Sequence, residues 1–360
     1  MSSNLAWGIP LQMKKATLYK KLKNRKVQCT ACSWYCNIAE NQSGVCGVRK
    51  NIRGDLYLLV YGKAVAVHVD PMEKKPLFHF LPGKKILSIG TLGCNFACSF
   101  CQNWSISQAT KMLKERNKER LTIGKITGYG QDFPPKKIVD YAKKQNIPAI
   151  AFTYNEPAIF FEYAYDTAKL AKRYNIKTVF VSNGYESKEA LQKIKPYLDA
   201  LNIDLKSFNE QFYLKTCKAK LQPVLKNIKR IYDMGFWLEI TTLLIPGMND
   251  SEEEITKIAK FILSIDPSIP WHLSAFHPDY KMAEVPETPH ETLLRAYKIA
   301  KDIGLKYVYL GNVFDPEKES TYCPKCKSLL IKRSGYNTEI VNLKNDKCNI
   351  CKEKIVGIWK

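Results

Sequence analysis

From residue 84 onward the chain alternates short apolar runs with amphipathic stretches, and this alternation limits its fold more than any other feature. The apolar runs are KILSIGTLG (85–93), PAIAFTY (148–154), KTVFVSN (177–183), ALNIDLK (200–206), FWLEITTLLIP (236–246), PWHLSAF (270–276) and KYVYLGN (306–312). The stretches between them read as helices. PPKKIVDYAKKQN carries Pro where a first turn tolerates it, and EYAYDTAKLAKRYN repeats apolar residues at helical spacing. SEEEITKIAKFILSI opens on Ser251 with acids in its first turn, a helix-start signal. Strands that alternate with helices pair in parallel, because each crossover must span a strand's length. The expected class is α/β, a partial or complete (β/α) barrel, in which chemistry gathers at the C-terminal ends of strands. Notable polar residues fall there: Cys94 and its neighbours, Asn155–Glu156, Ser182–Asn183, Asp204 to Lys206, His277, and Gly311–Asn312.

A chain of 360 residues, 45% of them apolar, can bury a core without disulfide staples. The expected parts are a Cys-rich N-terminal module over 1–83 with a β-hairpin-like segment, the barrel over 84–315, and a C-terminal module over 316–360. The opening MSSNLAWGIPLQMKK lacks a basic region followed by an apolar one, so it is not read as a secretory signal. No apolar run approaches the ~18–20 residues that span a bilayer. A soluble cytoplasmic protein without a membrane partner is expected. The formal charge is +22, partly concentrated in Lys14 to Lys26, with seven basic residues and no acid, and in KMLKERNKER (111–120). Such stretches serve either as solvated surface or as contacts for a polyanion such as RNA.

Twelve cysteines in a reducing compartment point away from disulfides. Eleven fall into three tight groups: Cys29, Cys32, Cys36 and Cys46; Cys94, Cys98 and Cys101; Cys323, Cys326, Cys348 and Cys351. Such grouping signals metal ligation. Only Cys217 stands alone, where a buried thiol is the ordinary reading. Three thiolates bind three irons of a cubane cluster and leave the fourth open to an outside ligand, whereas electron carriers use four. The alternative for the central trio is a zinc site completed by a distant residue such as His79 or Cys217.

The spacing Cys94-x-x-x-Cys98-x-x-Cys101 after the first barrel strand, with Phe100 before the last Cys, resembles the motif of the radical SAM superfamily. The likeness extends through VQCTACSWYCNIAENQSGVCGVRKN, VDPMEKKPLFHFLPG, FTYNEPAIFFEY, LQPVLKNIK, TLLIPGMND, WHLSAFHPDYKM and the terminal CPKC, CNIC and GIW. Over nearly the whole chain it is similar to the radical SAM enzymes of the AmmeMemoRadiSam system, in the activating-enzyme-like branch.

That resemblance implies a [4Fe-4S] cluster on Cys94, Cys98 and Cys101, with the amino and carboxyl groups of S-adenosylmethionine (SAM) on the fourth iron. One electron would cleave the sulfonium to methionine and a 5′-deoxyadenosyl radical, which takes a hydrogen atom from a substrate. It implies that Glu156 holds the methionine amino group, in a motif where Tyr154 and Asn155 replace two glycines of the superfamily pattern. Glu156 equally suits a helix start before Pro157. Ser182 and Asn183 resemble the segment that contacts the cofactor's ribose and carboxylate, although Asn-Gly is also a common turn pair. Asp204 and Lys206 are read as substrate-facing or as an ion pair inside the barrel. Gly247 shapes the backbone near adenine or simply a turn into a helix. His277, with Tyr280 and Lys281, is placed to exchange protons at the rim, or is structural.

The two knuckles Cys323-x-x-Cys326 and Cys348-x-x-Cys351 form a zinc-ribbon pattern, with rubredoxin-like iron as the competitor. The four N-terminal cysteines suit zinc or a second, fully ligated cluster. The expected function is adenosyl-radical hydrogen abstraction, with a reductant such as a ferredoxin or flavodoxin as partner. Its substrate is a protein (glycyl-radical activation), an RNA or a small molecule. The reading from another class is a non-catalytic iron–sulfur carrier or metal-dependent scaffold.

Overall fold

The computed structural model describes residues 13–117 and 122–360; residues 1–12 and part of the basic stretch 111–120 lie outside them. All seven apolar runs form strands of one sheet: Lys85–Gly90, Ala149–Phe152, Lys177–Ser182, Ala200–Asp204, Trp237–Leu244, Trp271–Ala275 and Val308–Gly311. They pair in parallel and in sequence order. Ala149–Phe152 is buried at every position, which is why these strands read as continuous apolar runs: a parallel strand is covered on both faces.

An eighth strand, Ala66–Pro71, comes from before residue 84 and pairs antiparallel with Lys85–Gly90. It forms one edge of the sheet, and Val308–Gly311 forms the other. The edges do not pair with each other, so the barrel is partial.

Helices cover the outer face. In Glu252–Leu263, Ser251 Oγ accepts the Glu254 N–H at 3.2 Å, and Glu252, Glu253 and Glu254 place negative charge at the positive end of the helix. Ile255, Ile258, Ala259 and Ile262 bury one face at helical spacing. The segments expected as helices from PPKKIVDYAKKQN and EYAYDTAKLAKRYN are Pro135–Lys144 and Phe161–Lys172.

The open seam is filled by two distant segments. Phe80 bridges Ile358, whose N–H donates to the His79 carbonyl at 2.7 Å. Arg333, from the C-terminal hairpin of Leu329–Ser334 and Asn337–Ile340, is fully buried and donates to the Phe78 carbonyl at 2.7 Å. Phe78, Tyr307, Tyr309, Leu330 and Ile331 share one apolar cluster, so the C-terminal piece is packed onto the last strand rather than hanging from it.

At the other end, Arg49 and Glu162 form an ion pair at 2.7 Å with both side chains 2% exposed, tying the N-terminal module to the barrel helix Phe161–Lys172. Four of the seven basic residues in 14–26 are matched by acids: Lys14 with Asp166, Lys15 and Lys21 with Asp55, and Arg25 with Glu40.

Candidate functional site

The loop after Lys85–Gly90 carries Cys94, Cys98 and Cys101, and all three line a cavity of about 680 Å³. Cys94 and Cys98 are buried and Cys101 is half-buried. The loop is held from several sides. Ala97 N–H donates to the Cys217 carbonyl at 3.0 Å and Ser99 N–H to the Thr216 carbonyl at 2.9 Å. Lys111 Nζ donates to the carbonyls of Cys94 and Phe96 at 2.8 and 2.7 Å. Trp34 Nε1 donates to the Asn95 carbonyl at 3.0 Å. Gly93 sits at φ +88°, and a Cβ there would lie 2.7 Å from the Cys46 carbonyl oxygen. Only glycine satisfies both conditions.

Asn155, Glu156, Ser182, Asn183, Asp204 and Lys206 line the same cavity. Asn155 Nδ2 donates to Thr91 Oγ1 and the Gly93 carbonyl at 3.0 and 2.7 Å, so it steadies the cysteine loop. Glu156 starts a short turn by accepting the Ala158 N–H at 3.0 Å, and it also accepts from Ser182 Oγ and from the Asn183 N–H at 2.9 Å. Capping and facing the cavity are therefore one arrangement. Burial, and then the neighbouring Glu186, push the Glu156 carboxyl up to about 8. Asn183 Nδ2 donates to Asn95 Oδ1 at 2.8 Å, joining this wall to the cysteine loop.

Tyr154, where the superfamily pattern has glycine, takes φ +70°, a conformation glycine adopts freely. Its hydroxyl donates to Asp70 at 2.8 Å and Lys75 lies over its ring. The backbone shape is thus kept without the small residue.

Lys206 and Asp204 form an ion pair at 2.9 Å on the cavity wall. Burial opposes the Lys206 charge, but Asp204 and the nearby thiols of Cys98 and Cys217 raise its pKa. Two expected residues stand outside the cavity wall. Gly247, at φ +70°, donates to Asp250 Oδ1 at 2.9 Å in a turn leading to the helix that starts at Ser251. His277 is exposed and reaches the rim through Gln102, whose amide nitrogen lies 2.9 Å from Nε2. Tyr280 stacks on Trp104, and the Lys281 N–H donates to the Ser99 carbonyl.

His79 and Cys217 do not complete the trio from the cavity, since neither lines it. His79 spends both ring nitrogens, on the Val356 carbonyl and the Tyr309 hydroxyl. Cys217 is fully buried against Cys98, and its hydrogen bond, followed by burial, raises the Cys98 pKa.

Sequence reasoning did not pick out His272, Glu239 or Lys111. His272 lines the cavity and pairs with the fully buried Glu239 at 2.7 Å. Glu239 also accepts the N–H groups of Phe78 and His79 at 2.9 and 2.8 Å. The available signal was a polar residue in the middle of an otherwise apolar strand, since such a group needs buried partners.

The four C-terminal sulfurs, of Cys323, Cys326, Cys348 and Cys351, lie within 4.8 Å of one another; Cys323 is 3.5 Å from Cys351, and Cys326 is 3.7 Å from Cys348. A metal bound tetrahedrally by thiolates at about 2.3 Å sets its sulfurs about 3.8 Å apart, so this group has metal-site geometry. Among the described residues, no three of Cys29, Cys32, Cys36 and Cys46 come that close.

A thiol-bearing loop at the end of the first parallel strand, opening on a cavity of substrate size, defines an enzyme site on a partial β/α barrel. A model of the radical SAM superfamily matches residues 88–262. An uncharacterized protein of Methanocaldococcus jannaschii is 42% identical over 346 residues, covering 95% of this chain and 99% of that protein. The pyruvate formate-lyase-activating enzyme of Listeria monocytogenes is 23% identical over 236 residues, 63% of this chain and 82% of that protein. The crystal structure of a radical SAM methyltransferase from Sphaerobacter thermophilus matches at 17% identity and TM-score 0.48, covering 64% of this chain and 67% of that one. The chain belongs to the radical SAM superfamily and is an enzyme of that class. The family implies a [4Fe-4S] cluster and SAM. Three thiols, a buried carboxylate and hydroxyl and amide donors around one cavity suit both. Among the described residues no helix is long and apolar enough to cross a membrane.

Proposed function

We propose that this enzyme cleaves SAM reductively at a cluster held by Cys94, Cys98 and Cys101 and abstracts hydrogen from a substrate in the same cavity. The observation that carries this reading is the sharing of one 680 Å³ cavity by those thiols and by Glu156, Ser182 and Asn183. When bound, the cluster and SAM supply one electron and a primary carbon radical; the chain supplies the rest. Glu156, oriented by Ser182 and the Asn183 amide, would hold the methionine ammonium in a charge-assisted bond. Burial and Glu186 raise its carboxyl, and a neighbouring ammonium would favour the ionised form. Lys111 and Asn155 fix the loop so that the thiols stay aimed. The Asp204–Lys206 pair lines the cavity with charge, and His272, held by the buried Glu239, lines it with an imidazole.

The motifs quoted along nearly the whole chain support membership of the AmmeMemoRadiSam system, and the activating-enzyme likeness supports a protein substrate. The acids that match Lys14, Lys15, Lys21 and Arg25 weigh against RNA. Zinc is assigned to the C-terminal group, whose sulfur spacing suits one tetrahedral ion. A low-potential ferredoxin or flavodoxin serves as reductant, in a cytoplasm whose reducing conditions suit metal-bound thiolates.

The test is anaerobic reconstitution with iron and sulfide, reduction, and addition of SAM. 5′-Deoxyadenosine should form; its absence, or undiminished formation by Cys98→Ala, overturns the reading. RNA retention that falls steeply with salt would replace the protein substrate by RNA.

A further inference from the structure

We infer that Cys29, Cys32, Cys36 and Cys46 hold a second [4Fe-4S] cluster, ligated wholly by protein, that passes single electrons to the cysteine loop of the cavity. The relay half of this inference rests on the proposed radical SAM reading; the metal site does not.

Spacing comes first. No three of these four sulfurs lie within 4.8 Å of one another, and the same holds for Cys94, Cys98 and Cys101. The C-terminal group does meet that distance. A single tetrahedral ion draws four sulfurs to about 3.8 Å. A cubane puts four irons between its thiolates, so they stand wider apart. Neither the N-terminal group nor the cluster loop is therefore gathered to the spacing of a single ion, as the ribbon is.

The surroundings suit an anionic iron–thiolate centre. Cys29, Cys32 and Cys46 are buried and Cys36 half-buried. Arg49, 2% exposed, lies in the electrostatic reach of Cys29 and Cys46. Its Nε is buried and has no hydrogen-bond partner among the described residues. A buried unpaired guanidinium N–H is costly unless negative charge stands beside it.

The group also abuts the cavity loop. The Cys46 carbonyl sits where a side chain on Gly93 would be, one residue before Cys94. It accepts a hydrogen bond from Thr110 at 3.1 Å. Cys32 bridges Glu186, the carboxylate that perturbs Glu156. Trp34 donates to Asn95 and packs against Tyr185, which packs edge-on against Phe96, with centroids 5.7 and 4.9 Å apart. The relay takes one electron from the protein reductant and hands one on, with no other bond made or broken.

The experiment reconstitutes Cys94→Ala/Cys98→Ala/Cys101→Ala and Cys32→Ala/Cys36→Ala full-length chains anaerobically and counts iron and zinc. The first variant should keep about four irons and a reduced-cluster EPR signal that SAM does not alter. The second should keep only the SAM-sensitive signal. Iron absent from the first variant, with about two zinc ions per chain, overturns the site. If the first variant fails to fold, the wild-type chain decides: two reduced signals, one of them SAM-sensitive, support the site, and a single signal overturns it. For the relay, Cys32→Ala/Cys36→Ala should lose at least about tenfold of its turnover with reduced flavodoxin relative to dithionite; an unchanged ratio overturns it. Wild-type chain that makes no 5′-deoxyadenosine would sink the proposed function while leaving the four-iron result standing.

Discussion

Four cysteines near the start of the chain and four near its end have the same side chains in the same number, yet they are built differently. The C-terminal set has Cys326 exposed and gathers its sulfurs within 4.8 Å around a short hairpin. The N-terminal set is spread wider and pressed against the cavity loop through Cys46 and Trp34. A tail of about forty residues gains most from a compact cross-link, since its own core is small. The N-terminal group touches the reactive loop instead, and on the inference above it exchanges electrons with that loop.

The comparison is anchored by the third, three-membered group. Cys98→Ala should lower 5′-deoxyadenosine formation by about a thousandfold or more, because among the described residues the cavity wall has no thiol beyond Cys94, Cys98 and Cys101. Turnover near the wild-type rate would remove the distinction between three and four ligands on which the comparison depends.

Next in size is the bond between the N-terminal module and the barrel. Arg49→Met leaves the Glu162 charge buried without its cation and should cost roughly 3–5 kcal/mol in denaturant unfolding. A loss under about 1 kcal/mol would mean that the module is not seated as described. At the other end, Cys348→Ala should release the ribbon metal and lower Tm by roughly 10 °C. Because Glu319, Gly335 and Tyr336 line the cavity, the same variant should also raise the KM for substrate. An unchanged KM would make the ribbon a staple only.

The smallest effect is on pH. Glu156 must be ionised to pair with an ammonium, and its carboxyl titrates near 8. SAM affinity should therefore fall as pH drops from 8 to 6, by up to about tenfold per unit. Glu156→Gln should bind more weakly and flatten the profile, as calorimetry would show.

How much of this was written in the sequence depends on how local each feature is. The seven parallel strands and the helix start at Ser251 were legible because strand burial and helix capping act over a few residues. The edge strand Ala66–Pro71 reads as β-like, but its antiparallel place beside Lys85–Gly90 is set by tertiary packing. Cys94, Glu156, Ser182 and Lys206 come together because strand ends in a parallel sheet converge. Gly247 and His277 also follow strands, yet Asp250 draws the first into a turn and the second stays on the exposed rim. Glu239 and His272 were silent because they pair with each other across neighbouring strands and Glu239 also takes the N–H groups of residues 78 and 79, far away in the chain.

The seam between Ala66–Pro71 and Val308–Gly311 is bridged by residues around 78–81 and 333–358 rather than by a further strand pair. Substitutions in those two segments can reshape the chamber while the ladder carrying the reactive loop keeps its register. The chamber's far wall and its reactive loop are thus held by separate parts of the chain.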